Sequence, residues 1–269
     1  AHMRLERLYT ARKEVPLALA EITWLLDYFS QKDEGDKVLE YLERGLQLDS
    51  QNMGLMERLA EIPLQAGRLD EATNQYLRMA EAALVRGDIP RATRSMENAR
   101  DSSPDDVEIR RNLAEIYVRQ GDSTNARAEF FEVARLYLAQ GLVADARATL
   151  DALIIQNPKD TALRERIAGL YVDHSIPELA ALQYVELARL HKQSKNAEGV
   201  VRFAQSALEL KPRTIEAKEL LVEAQIMLEN LDGAFATYSD LAELYAQTGQ
   251  PERAANCLRP MIDRKSTRL

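Results

Sequence analysis

Between residues 123 and 140 the apolar side chains Ala126, Phe130, Val133, Ala134 and Tyr137 fall three and four positions apart, which places them on one face of an α-helix. The pattern returns along the chain with a fixed step of 54 residues. Ala18, Ala72, Ala126, Ala180 and Ala234 share one column, and Ile22, Tyr76, Phe130, Tyr184 and Tyr238 share another. Leu25, Met79, Val133, Leu187 and Leu241 make an apolar column, and Ala80, Ala134, Ala188 and Ala242 a small one. Leu59-Ala60, Leu113-Ala114, Ile167-Ala168 and Leu221-Val222 also align, as do Pro104, Pro158 and Pro212, and no gap is needed anywhere.

Each period reads as three helices, A, B and C, predicted over about 107–120, 123–140 and 143–156 in the third copy. Gly67, Gly87, Gly121 and Gly141 stand where helices A and B must stop, because glycine accepts the left-handed conformation of a helix end. Pro90, Pro177 and Pro251 fall at first helical positions, where a missing N–H costs nothing. One such copy cannot cover its own apolar stripe, whereas stacked copies make a continuous core. The pattern predicts an all-α solenoid of about fifteen helices, a single array over 4–266 with units of about 4–50, 51–104, 105–158, 159–212 and 213–266. Residues 1–3 (Ala-His-Met) read as a cloning remnant and 267–269 as a tail. With no obvious polar capping helix at either end, the chain is expected to be part of a longer array and to be capable of self-association through exposed ends.

Charge and composition narrow the function. A hydrophobic fraction of 46% suffices for a core, and a net charge of −8 without a basic cluster opposes nucleic acid and anionic lipid. One cysteine, Cys257, allows no intrachain disulfide and no thiolate metal cage. With no signal peptide and no long apolar run, a cytoplasmic setting without membrane insertion is expected, unless a targeting segment precedes these residues.

Leu113-Ala114, Tyr117, Gly121-Asp122, Ala126 and Phe130 resemble the first part of the 34-residue tetratricopeptide repeat. Twenty residues on, Val133-Ala134, Tyr137, Gly141, Ala146, Leu150, Leu153 and Pro158 match the whole motif. Helix B thus serves two overlapping motifs, and a 20-residue offset plus a 34-residue motif accounts for the 54-residue period. The tryptophan of the family pattern is absent. The resemblance implies a right-handed α-solenoid, of a kind common in bacterial proteins, whose function is to bind other proteins.

Phosphate loops, nucleophile elbows and HExxH sequences are absent, so neither an enzyme nor a cofactor is expected. His191 takes the column of Tyr137 and Tyr245 and reads as a half-buried packing residue. Cys257 shares a variable column with Tyr41, Ser95, Thr149 and Phe203 and reads as an inert, partly exposed thiol. Pro63 replaces the tyrosine of Tyr9, Tyr117 and Tyr171 and predicts a local kink costing about 3 kcal/mol. Trp24 stands in a column that is otherwise Arg78, Glu132, Glu186 and Asp240, so it is expected to face solvent and make an end or partner contact.

In tetratricopeptide proteins the ligand faces residues of helix A. Carried over by the 54-residue frame, the resemblance implies a partner-binding set of Glu57, Glu61, Arg111, Glu115, Val118, Arg119, Glu165, Val172, Asp173, Glu219, Glu223, Ile226 and Met227. Most charges there are acidic, unlike the lysine and asparagine clamp with which some members hold acidic peptide tails. The expected occupant of the groove is a basic or amphipathic segment of a partner protein, which makes the chain a scaffold or adaptor. A peptide-sensing regulatory domain of a larger signalling or transcription-control protein is the alternative.

Overall fold

The computed structural model describes residues 1–266, so the tail 267–269 lies outside the described residues. It contains fifteen helices and, within that range, no strand. The third copy supplies α7 (Val107–Gln120), α8 (Ser123–Ala139) and α9 (Val143–Gln156), within one residue of the boundaries predicted from glycine and proline placement. The A helices of the second, fourth and fifth copies are α4 (Met53–Gln65), α10 (Thr161–Asp173) and α13 (Ile215–Met227). The first is α1 (His2–Ala11), which begins two residues before the array limit expected from sequence.

The small and aliphatic columns form the core, while the ring column is buried at Ile22 and Tyr76 and half-buried at Phe130, Tyr184 and Tyr238. The alanine column is buried in all five copies, where a methyl group takes little space in a close-packed interior. Leu25, Met79, Val133, Leu187 and Leu241 are likewise buried, as are Leu113, Ile167 and Leu221. The chain forms two compact units, residues 1–137 and the residues from 138 onward. In the first, Ala72, Tyr76 and Met79 of α5 (Leu69–Val85) pack in one cluster with Met96 of α6 (Ile89–Ser102) and with Leu113 and Tyr117 of α7. In the second, Val185, Leu187 and Ala188 of α11 (Pro177–Gln193) pack with Val200 and Phe203 of α12 (Ala197–Leu210) and with Leu220 and Ala224 of α13.

Two kinds of joint link the helices. Every A–B and B–C turn holds one residue with φ between 57° and 77°, at positions 13, 67, 121, 175 and 229 and at 33, 87, 141, 195 and 249. Five of these are glycine and the others are Lys13, Asp33, Ser175, Lys195 and Glu229. The C–A joints hold no such residue, and three of the four carry a side-chain cap. Asn52, Asp106 and Asp160 each accept a hydrogen bond from a backbone N–H in the first turn of the following A helix, worth about 1 kcal/mol apiece. Pro63 lies in the last turn of α4, which runs on to Gln65, so the lost hydrogen bond to the Leu59 carbonyl falls near a terminus rather than mid-helix. No described helix is long and apolar enough to cross a membrane.

Candidate functional site

The A helices bury Leu113 and Ala114, or Ile167 and Ala168, on one side, so the residues two and five places later point outward. In the first unit this leaves Glu57 and Glu61 of α4 exposed, and Arg111, Glu115, Val118 and Arg119 of α7. In the second, Val172 and Asp173 of α10 and Glu219, Glu223, Ile226 and Met227 of α13 are exposed, with Glu165 half-buried. Every residue of the predicted set thus reaches solvent at least partly.

One column stands out by its chemistry. Val118 is 55% exposed, Val172 41% and Ile226 42%, and the equivalent Leu64 of α4 is 41% exposed. Leu64 lies one period before Val118 and belongs to the same column, although it was not among the residues expected from sequence. Met227, 60% exposed, widens the apolar area on α13.

The acidic character of this face is weaker than the sequence suggests. Glu165 is paired with Arg202 of α12, Glu223 with Lys192 of α11, and Glu219 accepts the Tyr245 hydroxyl from α14 (Leu231–Gln247). Arg111 pairs with Glu108 at 3.6 Å, and Arg58 reaches Asp27 at 2.5 Å rather than offsetting Glu61. Glu57, Glu61, Glu115 and Asp173 keep no ion pair among the described residues. Beside α13 a cleft of about 510 Å³ is bordered by Arg189, Lys192 and Gln193 on one wall and by Glu216, Glu219, Leu220 and Glu223 on the other. That is a mixed-charge surface, not a purely acidic one.

Burial, and then the hydrogen bond to Glu219, pushes the Tyr245 phenol up to about 12, so it stays a donor across neutral pH. Cys257 corrects the sequence-based expectation of partial exposure, being only 9% exposed against Leu241 and Tyr245. Its column is buried in four of five copies, at Tyr41, Ser95, Phe203 and Cys257, and it varies in size because each copy fills the same site with different neighbours. Burial, with Glu219 adding to it, raises the thiol above its ordinary range, which leaves it a poor nucleophile. His191 is half-buried, its ring tilted against Phe203 at 5.1 Å. Trp24 is 45% exposed, and its ring stacks between those of His2 and Tyr28 at 3.6 and 5.3 Å. Among the described residues no three His, Cys, Asp or Glu side chains gather as a metal ion would require.

Sequence models of the tetratricopeptide repeat match residues 77–135, 131–197 and 236–260. The first two matches overlap inside α8, the helix that serves two motifs. No curated protein matches the chain. Among solved structures it is similar to the tetratricopeptide domain of P58(IPK), at 14% identity over 97% of this chain and 98% of that one, TM-score 0.25. It is similar also to yeast Tom70, at 15% identity over 93% of this chain and 61% of that one, TM-score 0.28. A third similarity is to BtubC from P. vanneervenii, at 14% identity over 99% and 87%, TM-score 0.28. With repeat models matching more than half of its length, and with the repeat columns forming its core, the chain belongs to the tetratricopeptide repeat family.

Proposed function

We propose that the chain is a protein-binding scaffold whose A-helix faces seat an amphipathic helix or peptide of a partner. Tetratricopeptide repeat proteins are in general non-catalytic interaction scaffolds. The observations that carry the finer reading are the aliphatic pairs Leu64 and Val118 in the first unit and Val172 and Ile226 in the second, each 41–55% exposed at the same position of successive copies, which leaves apolar surface in each unit for a partner to cover. A partner covering it recovers about 25 cal/mol for each Å² of apolar surface removed from water. The unpaired carboxylates Glu57, Glu61, Glu115 and Asp173 border that column and favour a partner with basic residues flanking its apolar stripe, mainly through faster association.

The test uses a partner isolated by crosslinking to the native protein, with its affinity then measured directly. Leu64→Ser with Val118→Ser should weaken binding at least tenfold without loss of helicity, and Glu57→Lys with Glu61→Lys should reduce both the association rate and its salt dependence. A partner whose affinity ignores the first pair binds elsewhere, and one whose association rate ignores the second is not steered by these carboxylates.

A further inference from the structure

The second copy departs from the third at one place in a consistent way. In the third, Tyr117 of α7 donates its hydroxyl to Glu97 of α6 at 2.6 Å. Gln120 donates to Thr93 at 2.7 Å, and Arg100 of α6 reaches the buried Glu129 of α8 at 2.8 Å. One period earlier these residues are Pro63 and Glu43, Ala66 and Leu39, and Leu46 and Gln75. None of the three cross-helix bonds can form there. A cavity of about 540 Å³ opens instead between α3 (Gly35–Leu48), α4 and α5, with Leu46, Leu59, Ile62 and Pro63 among its walls and Glu43 at its edge.

The carboxylate is the informative survivor. Where the copies keep the tyrosine they keep an acid beside it, Glu97 with Tyr117 and Asp151 with Tyr171, and where glutamine replaces the tyrosine at Gln225 the acid column also reads glutamine, at Gln205. Glu43 alone retains the carboxylate after losing the ring; it is exposed at the rim and has no hydrogen bond or ion pair to any described residue. Glu43 and Glu71 against Arg68 and Arg78 leave the cavity near neutrality, which suits a phenol better than a carboxylate or an ammonium group.

We propose that this cavity receives a tyrosine side chain of the bound partner, its ring over Leu59, Ile62 and Pro63 and its hydroxyl donating to Glu43, in the place Tyr117 fills one copy later. The proposal rests on the scaffold reading and names one anchor of its partner. The cavity is large enough for such a ring, and a hydrogen bond to a charged acceptor gives roughly tenfold preference over a ring that cannot donate.

The test is a methyl NMR titration of the whole chain, observing Leu46, Leu59 and Ile62, with p-cresol and with 4-methylanisole, whose ring lacks the hydroxyl proton. In the native protein p-cresol should shift these methyls and bind about tenfold tighter than 4-methylanisole. Glu43→Gln should bring the two affinities within about threefold, and Pro63→Tyr, which fills the cavity from within, should abolish both. The absence of shifts, equal affinities in the native protein, or binding undiminished in Pro63→Tyr would overturn the proposal. Neither probe touches Leu64 or Val118, so these results stand apart from the partner measurements that test the scaffold itself.

Discussion

Gly199 sits in the first turn of α12, in a column that elsewhere holds Lys37, Arg91, Asp145 and Arg253. The position therefore admits a side chain in four copies. In this one a Cβ would lie 2.3 Å from Nδ1, 2.6 Å from Cγ and 2.9 Å from Cε1 of His191. Cγ is bonded to the histidine Cβ, so flipping the ring relieves nothing and the whole side chain must leave its rotamer and its contact with Phe203. Gly199→Ala gains about 0.5–1 kcal/mol from helix propensity and loses about 1–3 kcal/mol from overpacking, a net loss of roughly 1 kcal/mol. In a His191→Ala background the clash is gone and the same substitution should stabilise by about 0.5–1 kcal/mol. The four proteins form a cycle with a coupling of about 2 kcal/mol, readable from urea unfolding followed by circular dichroism at 222 nm. An effect of the same sign and size in both backgrounds would refute the reasoning, because only the histidine ring makes this glycine necessary.

Glu6 is 1% exposed and accepts two hydrogen bonds from Arg44, at 2.7 and 2.6 Å, so Arg44→Met should cost about 2–3 kcal/mol, less than for a fully buried pair because Arg44 is partly exposed. Adding Glu6→Gln should recover part of that loss in the same thermal melt. Burial, reinforced by Asp151, pushes the Tyr171 phenol up to about 12, while the unfolded chain ionises near 10. The unfolded state then binds fewer protons above pH 10, so this stability is present below pH 10 and is lost as the pH rises through 12; Tyr171→Phe should flatten that fall in melting temperature. Ser175 holds φ at 57°, where a residue with a Cβ costs about 1–2 kcal/mol, and Ser175→Gly should raise stability by roughly 0.5–1 kcal/mol in a denaturant titration.

Helix limits were legible because the signals that set them are local. Gly121 and Gly141 end α7 and α8 with left-handed turns, and Asp106 and Asp160 cap the helices that follow Pro104 and Pro158. The outward orientation of Val118, Val172 and Ile226 was legible for the same reason, since a helix face follows from spacing alone. The charge state of that face was not. Glu219, Glu223 and Glu165 are engaged by Tyr245, Lys192 and Arg202, residues on other helices 26, 31 and 37 positions away, and nothing in a single-helix pattern announces such pairs. Glu6 was equally hidden, because a buried glutamate is recognised only once Arg44 is known to face it. The cavity beside Pro63 needed both kinds of information: the proline was visible as a break in a column, but its meaning depended on Glu43 across the helix interface.

The left-handed turns recur every 54 residues with one backbone geometry and with glycine in only half of the ten places. A chain cut at one A–B turn and rejoined at the next loses a whole period, yet the two ends meet with the dihedral angles that each had before, whatever residue occupies the joint. Gene duplications and deletions of this length therefore leave no malformed splice. Copy number can change by whole periods without disturbing the joints, leaving the outward face of each period free to differ from its neighbours.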